Sequence, residues 1–248
     1  VRLKTQPRMK IYAVLTGDII GSSRLGTSGL SDALTRLREL AGEFEQVHPS
    51  SILGQPDVFR GDSWQLCLER PSLVLTAAVF IRAGLKASGY DTRIGIGWGP
   101  VDHLNEDRIS ESGGPAFVLS GLALDRMGKD RVIALFPSDE GAHSGISSSA
   151  FAILDASLAL LDALINGWTQ RESVAVYGVM RKLSQEEIAA LPLALTRQGR
   201  VPTRQAIQDA LRRVSWARHV GPFLESVETT IGGNCSSCEQ DIAPAGKL

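Results

Sequence analysis

Two carboxylates in this 248-residue sequence stand where an acid needs an answering charge. Asp18 ends the run Ile11-Tyr12-Ala13-Val14-Leu15-Thr16-Gly17, whose continuous apolar character reads as a buried strand. A carboxylate at the end of such a strand costs energy unless a metal ion, an arginine or backbone N–H groups compensate it. Gly21 then permits a tight turn, and Ser22 and Ser23 place hydroxyls and amides beside it. Strand, acid, glycine and hydroxyls in that order suit a metal-bound phosphate. The same stretch also fits a strand closed by an Asx-turn, with Asp18 capping its own backbone. The second acid, Asp62, lies in Arg60-Gly61-Asp62-Ser63, between strand-like runs Ile52–Phe59 and Trp64–Leu68. This reads as a tight hairpin, in which Asp62 is either an ordinary turn residue or a partner for Asp18.

A third group of residues has a different chemistry. Pro202-Thr203 opens a helix bearing Arg204, Gln205, Gln208 and Arg212 on one side, with Ile207, Ala210, Leu211 and Val214 on the other. Arginine and glutamine can read base edges in double-stranded DNA, and arginine also holds phosphate. Two capping boxes, Thr169–Glu172 and Ser184–Glu187, start two preceding helices. Three short helices of this kind resemble a helix-turn-helix unit, although Pro192–Val201 is longer than that motif's turn. A small helical cap with a solvated basic face accounts for the pattern equally well. The charge is uneven: residues 168–220 hold nine Lys/Arg against four Asp/Glu, while the whole chain carries −1. Two modules with different partners would give that asymmetry.

The elements that must position these groups follow from periodicity. Leu30, Leu34, Leu37, Ala41 and Phe44 mark an amphipathic helix ending near His48-Pro49. Leu73, Ala77, Ile81 and Leu85 mark another, opened by Pro71. In Thr92–Gly99 the residues Ile94, Ile96 and Trp98 alternate with Gly95, Gly97 and Gly99, a strand with one bare face. Something must approach that face closely: a helix, a partner subunit or a ligand. Gly114-Pro115 opens a helix carrying Phe117, Ser120, Leu124 and Met127, and Arg131–Phe136 reads as a further strand. Helices alternate with strands around one hairpin, which predicts an α/β (α+β) fold with a mixed sheet flanked by helices. Residues 138–149 read as a linker, and 150–165 as an almost wholly apolar helix that either docks on the first domain or pairs with its counterpart.

No apolar stretch is long enough to span a membrane. Three cysteines, Cys67, Cys235 and Cys238, form no disulfide framework and suit a reducing cytoplasm. Cys235 and Cys238 make one CxxC, half of what a structural zinc needs. The polar, glycine-rich tail from Glu225 is expected to be unstructured.

In that order, Asp18–Ser23 (Asp-Ile-x-Gly-x-Ser), Gly61-Asp62 on a hairpin, Arg93–Gly99 (Arg-x-Gly-Ile-x-x-Gly) and the helix opened by Gly114 resemble class III nucleotide cyclases over roughly residues 10–140. The resemblance implies a ferredoxin-like, cyclase-type sheet. It implies that Asp18, Asp62 and the Ile19 carbonyl hold Mg²⁺ or Mn²⁺. It further implies that Gly21, Ser22, Ser23, Gly61, Ser63 and Arg93 face a nucleoside triphosphate. The helix positions that carry an Asn and an Arg in working cyclases are here Val118 and Leu122, and a base-reading position is Val58. The ring-closing half of the machinery is therefore altered. The wider combination TGDIIGSS, RGDSWQ, RIGIGWG and GGPAFVLS resembles the bacterial SatD family.

These readings predict a cyclase-like domain over 9–140, a connecting helix and basic helix-turn-helix-like module over 150–224, and a tail over 225–248. The expected function is nucleotide-responsive regulation through a divalent metal. The alternative is an enzyme acting on a nucleoside triphosphate by cyclisation or hydrolysis. A cytoplasmic homodimer is expected, with the glycine strand and the Gly114 helix near its seam.

Overall fold

The computed structural model describes residues 10–128, 131–135, 148–195 and 199–236. The central strand is β1 (Ile11–Ile19), followed by α1 (Ser22–Val47), the hairpin β2 (Ile52–Phe59) and β3 (Ser63–Leu68), α2 (Val74–Ala87) and β4 (Thr92–Pro100). Then come α3 (Pro115–Asp125), β5 (Ile133–Leu135), α4 (Ser148–Asn166), α5 (Gln170–Met180), α6 (Gln185–Ala190), α7 (Arg204–Arg213) and α8 (Gly221–Ser236). The sheet has the order β2-β3-β1-β4-β5. β1 is antiparallel to both β3 and β4, β2 is antiparallel to β3, and β5 is parallel to β4. The first four strands with α1 and α2 form the βαββαβ arrangement, two interleaved split units, β1-α1-β2 and β3-α2-β4, with β3 and β1 adjacent at the centre. The expected mixed sheet flanked by helices is what the chain forms.

Alternation along β1 assigns the faces. Ala13, Leu15 and Ile19 pack with Leu37, Leu40 and Phe44 of α1 and Phe80 and Ile81 of α2. Val14 faces the other way, with Cys67, Ala116 and Phe117 under α3. The bare face of β4 receives that helix. A Cβ on Gly97 would stand 2.1 Å from the Ala116 carbonyl oxygen, and one on Gly95 2.3 Å from that of Ser120. Of the three occupants the glycine pattern allowed, it is a helix.

The helices after the sheet domain extend the core of the α1/α2 side. Tyr177 of α5 packs against Phe80 with ring centroids 5.6 Å apart, and its hydroxyl donates to Glu43 at 2.5 Å. One hydrophobic cluster runs from β1 through α2 to Val176, Tyr177, Val214, Leu224 and Ile231. Leu224 and Ile231 belong to α8, which corrects the expectation of an unstructured tail for residues 225–236. Their spacing buries one side of a helix that its polar and glycine residues disguise. Residues 237–248, including Cys238, lie outside the described residues, as does most of the expected linker. Ser148 and Ser149 at the linker's end already belong to α4. Of the strand expected over 131–136, β5 takes Ile133–Leu135 and Phe136 lies outside the described residues, and the amphipathic helix expected from Leu30 starts earlier, at Ser22, with a break at Gly26. Among the described residues no helix is long and apolar enough to cross a membrane.

Candidate functional site

The even residues of β1, Tyr12 to Asp18, lie on the α3 side of the sheet, and so do Ser63, Gln65 and Cys67 of β3 and Arg93 of β4. The deep end of this surface is apolar. Toward the carboxyl end of β1 it turns polar: Thr16 Oγ1 shares a 2.6 Å hydrogen bond with Ser120 Oγ and accepts one of 3.1 Å from Gln65 Nε2. Asp18 follows one pleat further on, directly opposite Ser63 on one neighbour and Arg93 on the other. The register thus puts a carboxylate and a guanidinium side by side at the sheet's end.

Arg93 answers Asp18 with both arms. Its Nε donates to Asp18 Oδ1 at 2.9 Å, and its Nη2 donates to Oδ2. The hydrogen bond to Asp18 is the main reason that the Arg93 pKa is raised, and the charges of Asp18, Asp62 and Asp125 add to it against burial. Arg93 is thus paired with Asp18 of β1, and the charges of Asp62 on the β2–β3 hairpin and Asp125 at the end of α3 also act on it. Asp62 is tied in through its backbone, whose carbonyl accepts from the Ile19 N–H at 3.2 Å. Its side chain accepts from Ser22 Oγ at 2.5 Å. The hairpin that carries it turns through Arg60 and Gly61, both at positive φ, so Gly61 serves the backbone there.

Behind Asp18 lies a buried relay. Trp64 Nε1 donates to Thr92 Oγ1 at 3.0 Å, and Thr92 Oγ1 donates to the Asp18 carbonyl at 2.7 Å. Trp64 and Thr92 are fully buried, so they fix the strand end that presents the acid. The sequence held no sign of this relay, because it depends on cross-strand register. Gly21 caps α1 in the left-handed conformation, but the helix breaks at Gly26, so Ser22 to Leu25 form a single turn. Ser22 engages Asp62, whereas Ser23 is exposed.

The structure therefore gathers Asp18, Asp62, Ser22, Ser63 and Arg93 at one end of the central strand. The donors suit a hard divalent ion in type: two carboxylates and the Ile19 carbonyl. They are too few to enclose one. No group of three or more His, Cys, Asp or Glu among the described residues is placed to hold a metal, and Arg93 already covers both Asp18 oxygens. The three aliphatic residues singled out by the cyclase resemblance are spread over the fold. Val118 is 60% exposed on the outer side of α3, Leu122 is half-buried, and Val58 packs against the core. None can orient a ribose or steady a developing charge.

In the basic helices, α7 docks through Ile207, Ala210 and Val214, while Arg204, Gln205, Gln208 and Arg212 are exposed. Their charges are partly matched. Arg204 Nε lies 3.3 Å from Glu186 and Arg212 Nη1 3.5 Å from Asp209, and Gln205 donates to Asp209 at 3.0 Å. Both capping boxes form as expected.

Compared with protein families, the chain matches no family model, and it matches none of the curated proteins.

Proposed function

We propose that this chain is a nucleotide-responsive regulator that binds a nucleoside triphosphate together with Mg²⁺ or Mn²⁺ at the Asp18–Asp62 end of the sheet. The observation that carries this reading is the convergence of Asp18, Asp62, Ser22 and Arg93 from four separate segments. In this reading Asp18, Asp62 and the Ile19 carbonyl hold the ion, which neutralises phosphate charge. Ser22, Ser23, Gly21, Gly61 and Ser63 line the phosphates. Arg93, now bidentate on Asp18, would be free to turn to a phosphate oxygen once Asp18 held the ion, exchanging one anion partner for another. The class III cyclase resemblance supports the same assignment. The aliphatic Val118 and Leu122 favour binding without ring closure. Buried, unpaired Cys67 agrees with a cytoplasmic setting.

Calorimetric titration of each nucleoside triphosphate with Mg²⁺ or Mn²⁺, followed by product analysis, tests the proposal. Binding without turnover is expected; release of phosphate or a cyclic nucleotide would make the protein an enzyme instead.

Duplex DNA contact by α7 is the second part of the reading, favoured by the common exposure of Arg204, Gln205, Gln208 and Arg212. Binding should weaken steeply with salt and be lost in Arg204→Ala/Arg212→Ala. Absence of binding at about 50 mM salt, where phosphate contacts are strongest, leaves α7 as a helical cap.

A further inference from the structure

The outer side of α4 is apolar without being covered. Its inner side, Phe151, Leu158, Leu161 and Ile165, joins the core. Both of its acids also turn to the protein. Asp155 pairs with Arg131 at 2.8 Å, and Asp162 accepts from Arg82 at 2.9 Å and from the Val132 N–H at 2.8 Å. What remains outside is Ala152, Ile153, Ala156, Leu160, Ala163 and Leu164, all exposed, with Leu160 at 73%. Ile153, Ala156, Leu160 and Ala163 are spaced by three, four and three, the spacing of a helix–helix seam. A helix with apolar residues on every side is ordinarily buried. This one is buried on one side only.

The exposed side is complementary to its own reverse. With a two-fold axis at the level of residue 158, an antiparallel copy brings Ala156 level with Leu160, Ile153 level with Ala163 and Ala152 level with Leu164. Each level then holds one large and one small side chain, and the three alanines let the helices approach closely. No charge on the strip opposes a second copy, because Asp155 and Asp162 are neutralised within the chain. The parts of this sequence outside the described residues carry only scattered large apolar residues, so none of them offers a matching strip.

We propose that this side of α4 is a self-association surface, and that the chain pairs through it antiparallel about a two-fold axis. Such an isologous contact needs one patch that is its own partner, which is what the strip supplies. The strip from Ala152 to Leu164 spans about 20 Å at 1.5 Å per residue. A strip about 10 Å wide, one helix diameter, then covers about 200 Å² per copy, against about 800 Å² in stable complexes. The association is therefore weak and concentration-dependent. This surface is separate from the nucleotide site and stands whether or not that reading holds.

Sedimentation of the full chain from about 1 to 300 µM, which spans weak specific dissociation constants, tests it. A monomer–dimer equilibrium is expected in the upper part of the range. Leu160→Asp should leave a monomer throughout, with an unchanged circular dichroism spectrum because the residue is exposed. Leu160→Ala and Ala156→Leu should each weaken the dimer at least several-fold, and Ala156→Leu/Leu160→Ala together should restore it. A monomer at every concentration overturns the proposal. A dimer that survives Leu160→Asp places the contact elsewhere and overturns it too. Failure of the double exchange to restore the dimer overturns the antiparallel arrangement.

Discussion

Two arginines in this fold hold aspartates, and they do opposite things. Arg82 of α2 is 1% exposed and reaches Asp91 at 2.9 and 3.1 Å, Asp162 at 2.9 Å and Asn166 at 2.5 Å. Arg93 of β4 reaches Asp18 with equal geometry, but its side chain is 41% exposed. The Arg82 cluster ties α2, the loop before β4 and α4 together, and Asp162 also takes the Val132 N–H just before β5. It has no room to exchange partners. The Arg93 pair faces outward, with Asp62 and Asp125 near enough to act on it. The pairing chemistry is the same; burial makes one a lock and leaves the other free to trade its partner. Water reaches the Arg93 guanidinium but not the Arg82–Asp162 pair, in which both side chains are 1% exposed.

The largest effect that would break this contrast is at the lock. Arg82→Ala leaves the buried Asp162 without its cation, whereas Asp91 keeps Lys86 at 3.5 Å, and should cost about 3–5 kcal/mol, the range for breaking a buried pair. Urea unfolding midpoints measure it, and a loss below about 1 kcal/mol, typical of exposed pairs, would erase the distinction. Arg93→Ala should lower stability by no more than about 1 kcal/mol. The same substitution uncovers Asp18, so Mn²⁺ alone should bind more tightly while the metal–triphosphate complex binds less tightly, by roughly tenfold for one lost charge-assisted contact. Parallel shifts in both titrations would mean that Arg93 does not exchange.

A smaller effect separates both clusters from the fold's response to acid. Burial alone would raise the Glu172 pKa, but the Thr169 backbone N–H, Arg213 and the Thr169 hydroxyl outweigh it and hold the carboxyl below its ordinary value. Asp57 is likewise held low, with Ser110 and the Val58 N–H outweighing burial. A depressed carboxylate stabilises the fold above its unfolded-state value and loses that contribution as pH falls through the folded one. Stability should therefore fall below about pH 4.5, and Glu172→Gln should flatten that dependence in thermal melts taken from pH 6 to 3. An unchanged slope would remove Glu172 from the account.

Much of the site's scaffold was legible because it is local. The Ile11–Leu15 run, the Arg60–Ser63 hairpin and the bare face of β4 each announce an element and its end. The convergence of Asp18 and Asp62 came through the cyclase resemblance, since nothing in their spacing brings strand and hairpin together. What escaped depends on register or on burial. The Asp18–Arg93 pair exists because those residues are opposite in β1 and β4, and the Trp64–Thr92 relay spans three strands. The Arg82 lock did leave a sign: a lone base in Val74–Leu85 and a lone acid between Leu161 and Ala163, each inside an apolar helix. Two opposite charges stranded in apolar helices are best explained by each other. Helix α8 was obscured because Leu224, Val227 and Ile231 are diluted by polar and glycine residues that read as a tail.

The central claim is that the Asp18 cluster takes a metal with its phosphate ligands. Its most direct test is calorimetric titration of a nucleoside triphosphate, with and without Mn²⁺, into the wild type, Asp18→Asn and Asp62→Asn. Saturable binding that requires Mn²⁺, lost in both variants while their unfolding midpoints stay near the wild type's, is the predicted result. Binding that survives either substitution, or that proceeds equally well without the metal, would contradict it.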